Sequence, residues 1–98
     1  MYILVKDSVP LGLAVNAVGH ASLSCYLNFK DEVRMRSWLQ NSFKKVTCKV
    51  TAEEIEEAKE AGHYKEITES ALDNEVVAVA FCPRDEWPEC FKKYKLYK

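Results

Sequence analysis

One seven-residue run constrains this chain more than any other: Val76-Val-Ala-Val-Ala-Phe-Cys82. It is apolar at every position, so a strand built from it presents apolar side chains to both faces of its sheet. Burial on both faces requires a cover on each side, which helices flanking a central sheet supply. Pro83 ends the run, because proline cannot donate to the strand ladder. The chain has 98 residues in which to build the covers and the neighbouring strands, enough for one domain spanning 1–98.

The other elements follow from local pattern. Tyr2-Ile3-Leu4-Val5, bounded by Lys6-Asp7-Ser8, reads as a buried strand. Pro10 suits a first helical turn and opens a segment from Leu11 to about Asn28. That segment carries Gly12, Ala14, Ala17, Gly19, Ala21 and Ser22. Each glycine lowers helix propensity by roughly 1 kcal/mol, which leads us to expect close approach of this helix to a sheet or another helix. Asp31 is placed to cap a second helix with Val33, Met35, Trp38 and Leu39 as its apolar contacts. Lys45–Val50 alternates polar and apolar, as a strand with one wet face does. Thr51-Ala-Glu-Glu54 is a capping box opening a helix to Ala61, which Gly62 stops. Tyr64–Glu69 alternates again and reads as an exposed strand, and Asp73-Asn74 supplies turn chemistry before the central run. Asp85 is expected to cap a last helix through Trp87, Phe91 and Tyr94, with Pro88 in its first turn. The order is β-α-α-β-α-β-β-α, an α/β fold with a four-stranded mixed sheet packed with helices.

Charge narrows the function. The formal net charge is −1 and both signs are mixed along the chain, so nothing here resembles the basic excess of a protein that grips phosphates along nucleic acid. Lys92, Lys93, Lys95 and Lys98 form the one basic cluster, which reads as a complement to a helix C-terminus. Glu53, Glu54, Glu56, Glu57 and Glu60 crowd one short helix and read as a solvated face. Cys25, Cys48, Cys82 and Cys90 contain no C-x-x-C pair, and three lie in apolar runs, which fits a reducing, cytoplasmic setting. No apolar run approaches the ~20 residues that span a bilayer. No metal or cofactor is indicated, since the two histidines, His20 and His63, lie far apart with no further ligand at useful spacing.

Residues at both ends carry a resemblance. His20-Ala21 resembles the His-Ala pair in the first helix of the type II peptidyl-tRNA hydrolase fold, and Lys95-Leu96-Tyr97 is similar to the family's closing Lys-Leu-Tyr. The same order of elements is implied. Anchored on His20-Ala21, the stretch Pro10-Leu11-Gly12-Leu13 falls where the family has Gly-Lys-Gly-Lys, so both lysines are replaced, by Leu11 and Leu13. The family's Asp-x-Gly-x-Thr loop is matched only by a short Ser70–Glu75 segment without Gly or Thr in place, with Glu69 or Asp73 near the missing Asp. Pro10–Ala17 resembles a bacterial branch of the fold that shows an Asn-Ala helix, lacks the lysines and has no established role. The resemblance therefore implies the fold while making family-type cleavage of peptidyl-tRNA unexpected.

Asn16, His20 and Ser24 fall at i, i+4 and i+8, one ridge of the first helix, with Gly12 opening it. An imidazole gains and loses a proton near neutral pH, so His20 is the candidate acid or base, with Asp73 as an acidic partner. Lys6, Asp7 and Ser8, at the carboxyl end of the first strand where α/β ligand sites lie, are expected to line a binding site with Gly12, Asn16 and Ser24. The plainer reading of the ridge is a less apolar helix edge that meets solvent or a partner, with His20 hydrogen-bonded to backbone. Cys90 near the start of the last helix reads as packing. Two functions remain open. One is a binding domain for a small molecule or protein, a homodimer with Trp38 and Trp87 as exposed contact aromatics. The other is a hydrolase of peptidyl-tRNA or a related ester working through His20. A hydrolase of tRNA needs a basic patch beside His20, whereas a binding domain needs an apolar pocket there.

Overall fold

A computed structural model describes all 98 residues. The central run forms β4 (Glu75–Phe81) as far as Phe81, with Cys82 just beyond the strand, and is buried on both faces from Val77 onward. Its neighbours are β1 (Tyr2–Lys6) on one side and β3 (Tyr64–Glu69) on the other, both antiparallel to it. Beyond β1 come β2 (Val46–Val50), parallel to β1, and β5 (Lys95–Leu96), antiparallel to β2, giving the order β3-β4-β1-β2-β5. The sheet thus has five strands where the sequence pattern predicts four. A two-residue strand leaves no period to read, and β5 exists only through its pairing with Cys48 and Lys49.

The four helices are α1 (Leu11–Phe29), α2 (Val33–Ser37), α3 (Ala52–Lys59) and α4 (Glu89–Lys93). Alternation along the strands divides the core between the two faces. Ile3, Val5, Ala78 and Ala80 pack with Ala14, Ala17 and Ala21 of α1, while Leu4, Val79 and Phe81 pack with Ile55 and Ala58 of α3 and Phe91 beside them. Alanines meeting alanines let α1 sit close to the sheet, as expected from its small residues. The glycines do not share that role: Gly12 and Gly19 are exposed, with nothing within 4 Å of where a Cβ would stand.

Three local readings need correction. Asp31 does not cap α2. The cap is Glu32, with no side-chain bond, and the chain continues through a π-helical turn (Trp38–Ser42) to Phe43 at φ 54°. Trp38 is not an exposed aromatic: it is 8 % exposed, and its indole Nε1 donates to the Lys44 carbonyl at 2.7 Å. The last helix is shorter than expected, because Pro88 holds an extended ψ of 149° and α4 starts only at Glu89, without a cap from Asp85. The α3 capping box is present in full: the Thr51 hydroxyl accepts from the Glu54 N–H at 3.1 Å, and the Thr51 N–H donates to the Glu54 carboxylate at 2.9 Å. No helix is long and apolar enough to cross a membrane.

Candidate functional site

The parallel pair β1 and β2 ends at Lys6 and Val50, and the chain leaves β1 through a tight turn. The Asp7 N–H donates to the Val50 carbonyl at 2.7 Å, and the Val9 N–H returns to the Lys6 carbonyl at 3.2 Å. These bonds hold Asp7 and Ser8 out in solvent, while the Lys6 ammonium turns across the sheet to the Glu75 carboxylate at 3.1 Å. Asp7 lines a cleft of about 700 Å³ shared with Lys49, Thr51 and the lysines near the chain end, while Lys6 lines a separate hollow of about 120 Å³ against α3.

The ridge on α1 lies elsewhere. Asn16 and His20 are exposed and Ser24 is half-buried. None of the three donates or accepts a side-chain hydrogen bond. Asp73 sits between β3 and β4 in a left-handed turn, at φ 53°, followed by Asn74 at φ 61°. Its alternative, Glu69, is occupied within that turn, where its carboxylate accepts from the Ala71 N–H at 3.1 Å. Neither His20 nor Asp73 lines the cleft beside Asp7 or the apolar hollows along α1.

The flank of α1 is apolar. Between Leu11 and Phe29 the helix bears no Asp, Glu, Lys or Arg, and His20 is its one titratable nitrogen side chain. Leu11, Val15, Leu23 and Leu27 are each more than half exposed, a row spaced by fours with Gly19 at its centre. Beside this row, Val18, Leu23 and Tyr26 of α1 face Trp38, Leu39 and Phe43 across a cleft of about 590 Å³. One charge reaches it: the Lys45 ammonium stands 3.5 Å from the centre of the Phe43 ring, a cation held on an aromatic face. A smaller apolar hollow continues along α1 between Val15, Val18 and Tyr97. Sequence pattern singled out Trp38 and Leu39 as contact residues but not Phe43, nor their grouping against α1. Trp38, Leu39 and Phe43 reach α1 only because the π-helical turn folds them back, and no periodicity announces such a turn.

The thiols are not poised for chemistry. Burial pushes Cys25 up to about 12 and Cys48 up to about 11, so both remain protonated near neutral pH. Cys90 is half-buried and packs against the cluster around Phe91. The Tyr94 phenol is also raised, first by burial and then by hydrogen bonding with Cys90 and Glu57.

Residues 1–97 match the family model described as Peptidyl-tRNA hydrolase PTH2. No curated protein matches the chain.

Proposed function

From the premise that this chain belongs to the peptidyl-tRNA hydrolase PTH2 family, we propose that it is a cytoplasmic ligand-binding member that does not cleave peptidyl-tRNA. The observation that carries this is the flank of α1. Where a tRNA hydrolase needs cationic groups beside His20, the helix offers an apolar row and an apolar cleft of about 590 Å³, a size suited to a small organic ligand. Leu11 and Leu13 stand where the family's lysines are expected, and neither can hold a phosphate or polarise an ester. The rings of Tyr26, Trp38 and Phe43 in its lining, with the Lys45 ammonium beside Phe43, favour a flat apolar molecule bearing one acidic group.

Two measurements test the reading together. Purified protein and its His20→Ala variant are assayed for hydrolysis of labelled peptidyl-tRNA. Neither is expected to exceed background, and turnover that vanishes in the variant overturns the proposal in favour of a hydrolase acting through His20 and Asp73. Anilinonaphthalene sulfonate, an apolar ring system with one anionic group, is then titrated into the protein. It is expected to bind in the cleft and to be lost in Leu39→Asp, and binding unaffected by that substitution places the ligand elsewhere.

A second reading rests on the row Leu11, Val15, Leu23 and Leu27: α1 also pairs with α1 of a second copy. Sedimentation equilibrium is then expected to report a dimer that Val15→Asp dissolves, and a monomer at every concentration rejects it.

A further inference from the structure

We propose that the cleft beside β5 is a second site, for a compact oligophosphate-bearing ligand of nucleotide size. The site is independent of the apolar cleft on α1. Its lysines come from two segments far apart in the chain: Lys49 on β2, and Lys93 at the end of α4 with Lys95 on β5 and Lys98. None of these four ammonium groups has a carboxylate partner, whereas Lys6, Lys59 and Lys92 each hold one. At about 700 Å³ the hollow is of the size that encloses small ligands.

The register of β5 sharpens the argument. Lys49 and Lys95 stand directly opposite each other in the antiparallel pair. Residues so placed have Cβ atoms about 5 Å apart, and like charges there destabilise the sheet. No acidic side chain relieves the pair. The Lys49 ammonium stands 5.4 Å from the centre of the Tyr97 ring and has no carboxylate to neutralise it. A strand of two residues that aligns cation against cation gains little from pairing by itself, and an anion lodged between the ammonium groups turns that repulsion into attraction.

The surroundings decide between a compact anion and an extended one. Next to the cleft, α3 carries Glu53, Glu54, Glu56 and Glu57, and the whole chain has a net charge of −1. A nucleic-acid strand running out of the cleft meets those carboxylates, whereas a short oligophosphate stays among the lysines. Within the cleft, the Glu54 carboxylate is turned back onto the Thr51 N–H. Asp7 is left exposed at the wall, free to accept a hydrogen bond from a hydroxyl of the ligand.

Calorimetric titration of inorganic tripolyphosphate and, separately, of a short single-stranded RNA tests this. Three proteins are compared: the wild type, Lys49→Gln/Lys95→Gln, and Lys30→Gln/Lys65→Gln as a control on exposed lysines outside the cleft. Glutamine keeps most of the side-chain stem, and removal of opposed charges is expected to hold or raise the thermal midpoint, so lost binding reports the site and not the fold. Tripolyphosphate is expected to bind the wild type and to bind the cleft variant roughly tenfold or more weakly, with the control unchanged. Absence of binding to the wild type overturns the proposal, as does equal weakening by the control pair. RNA binding tighter than tripolyphosphate with the same lysine dependence overturns the compact ligand. Because Leu39→Asp leaves this cleft untouched, failure here and failure of the α1 ligand are read separately.

Discussion

Gly12 and Gly19 interrupt a 19-residue helix at positions where a methyl group meets open space. Gly12 stands in the first turn and Gly19 mid-helix, and at both glycine's extra backbone freedom in the unfolded chain is a cost without a packing return. Gly12→Ala is therefore expected to raise stability by roughly 0.5–1 kcal/mol, read from the midpoint of urea unfolding. Gly19→Ala is expected to give a similar gain while narrowing the cleft it lines, so that dye binding falls as stability rises. Cys25 makes the opposite kind of statement. Its thiol has an ordinary value of 9.0 and is pushed up to about 12 by burial. Below pH 9 neither the folded nor the unfolded thiol is ionised, and its burial is favourable. As pH rises from 9 toward 12 the unfolded thiol ionises while the folded one does not, so stability is lost across that window. Urea midpoints measured through it are expected to fall, and to fall less in Cys25→Ala.

At the scale of elements, what could be read ahead was what local chemistry dictates. The α3 capping box needs only Thr51 and Glu54 three residues apart, and both of its bonds are in place. Thr51→Ala is expected to cost about 1 kcal/mol, measurable as a lower thermal midpoint. The alternation of Tyr64–Glu69 likewise places β3 at the edge, since only Ile67 of its six residues is buried. What could not be read was whatever depends on a distant partner. Lys95-Leu96 has no pattern of its own, and its pairing with Cys48 and Lys49 spans almost half the chain. The start of α4 was misjudged because Asp85 and Pro88 together imitate a helix entry, while the backbone at Pro88 remains extended. The apolar cleft was hidden for the same reason: α1 was legible as a helix, but the turn that returns Trp38 and Phe43 to it was not.

For the whole molecule, the two candidate sites divide along the sheet. Polar loops and lysines gather at the carboxyl ends of β1 and β2, and the apolar groove runs along α1, with Tyr97 touching the groove and carrying Lys49 on its ring. The sheet itself is assembled out of chain order, with the earliest strand near its middle and the central run among the last pieces laid down. A fragment ending at Asn74 lacks β4, which pairs with both β1 and β3. Such a fragment is expected to show no cooperative unfolding transition by circular dichroism. The same arrangement has a consequence during synthesis. Ile3, Leu4 and Val5, all fully enclosed in the finished protein, leave the ribosome with no neighbour for their antiparallel side. That side of β1 has no partner in this chain until residues 78–81 have been added. An apolar strand whose antiparallel partner is made so much later is open to other chains in the interval, a hazard that faster elongation or a bound chaperone shortens.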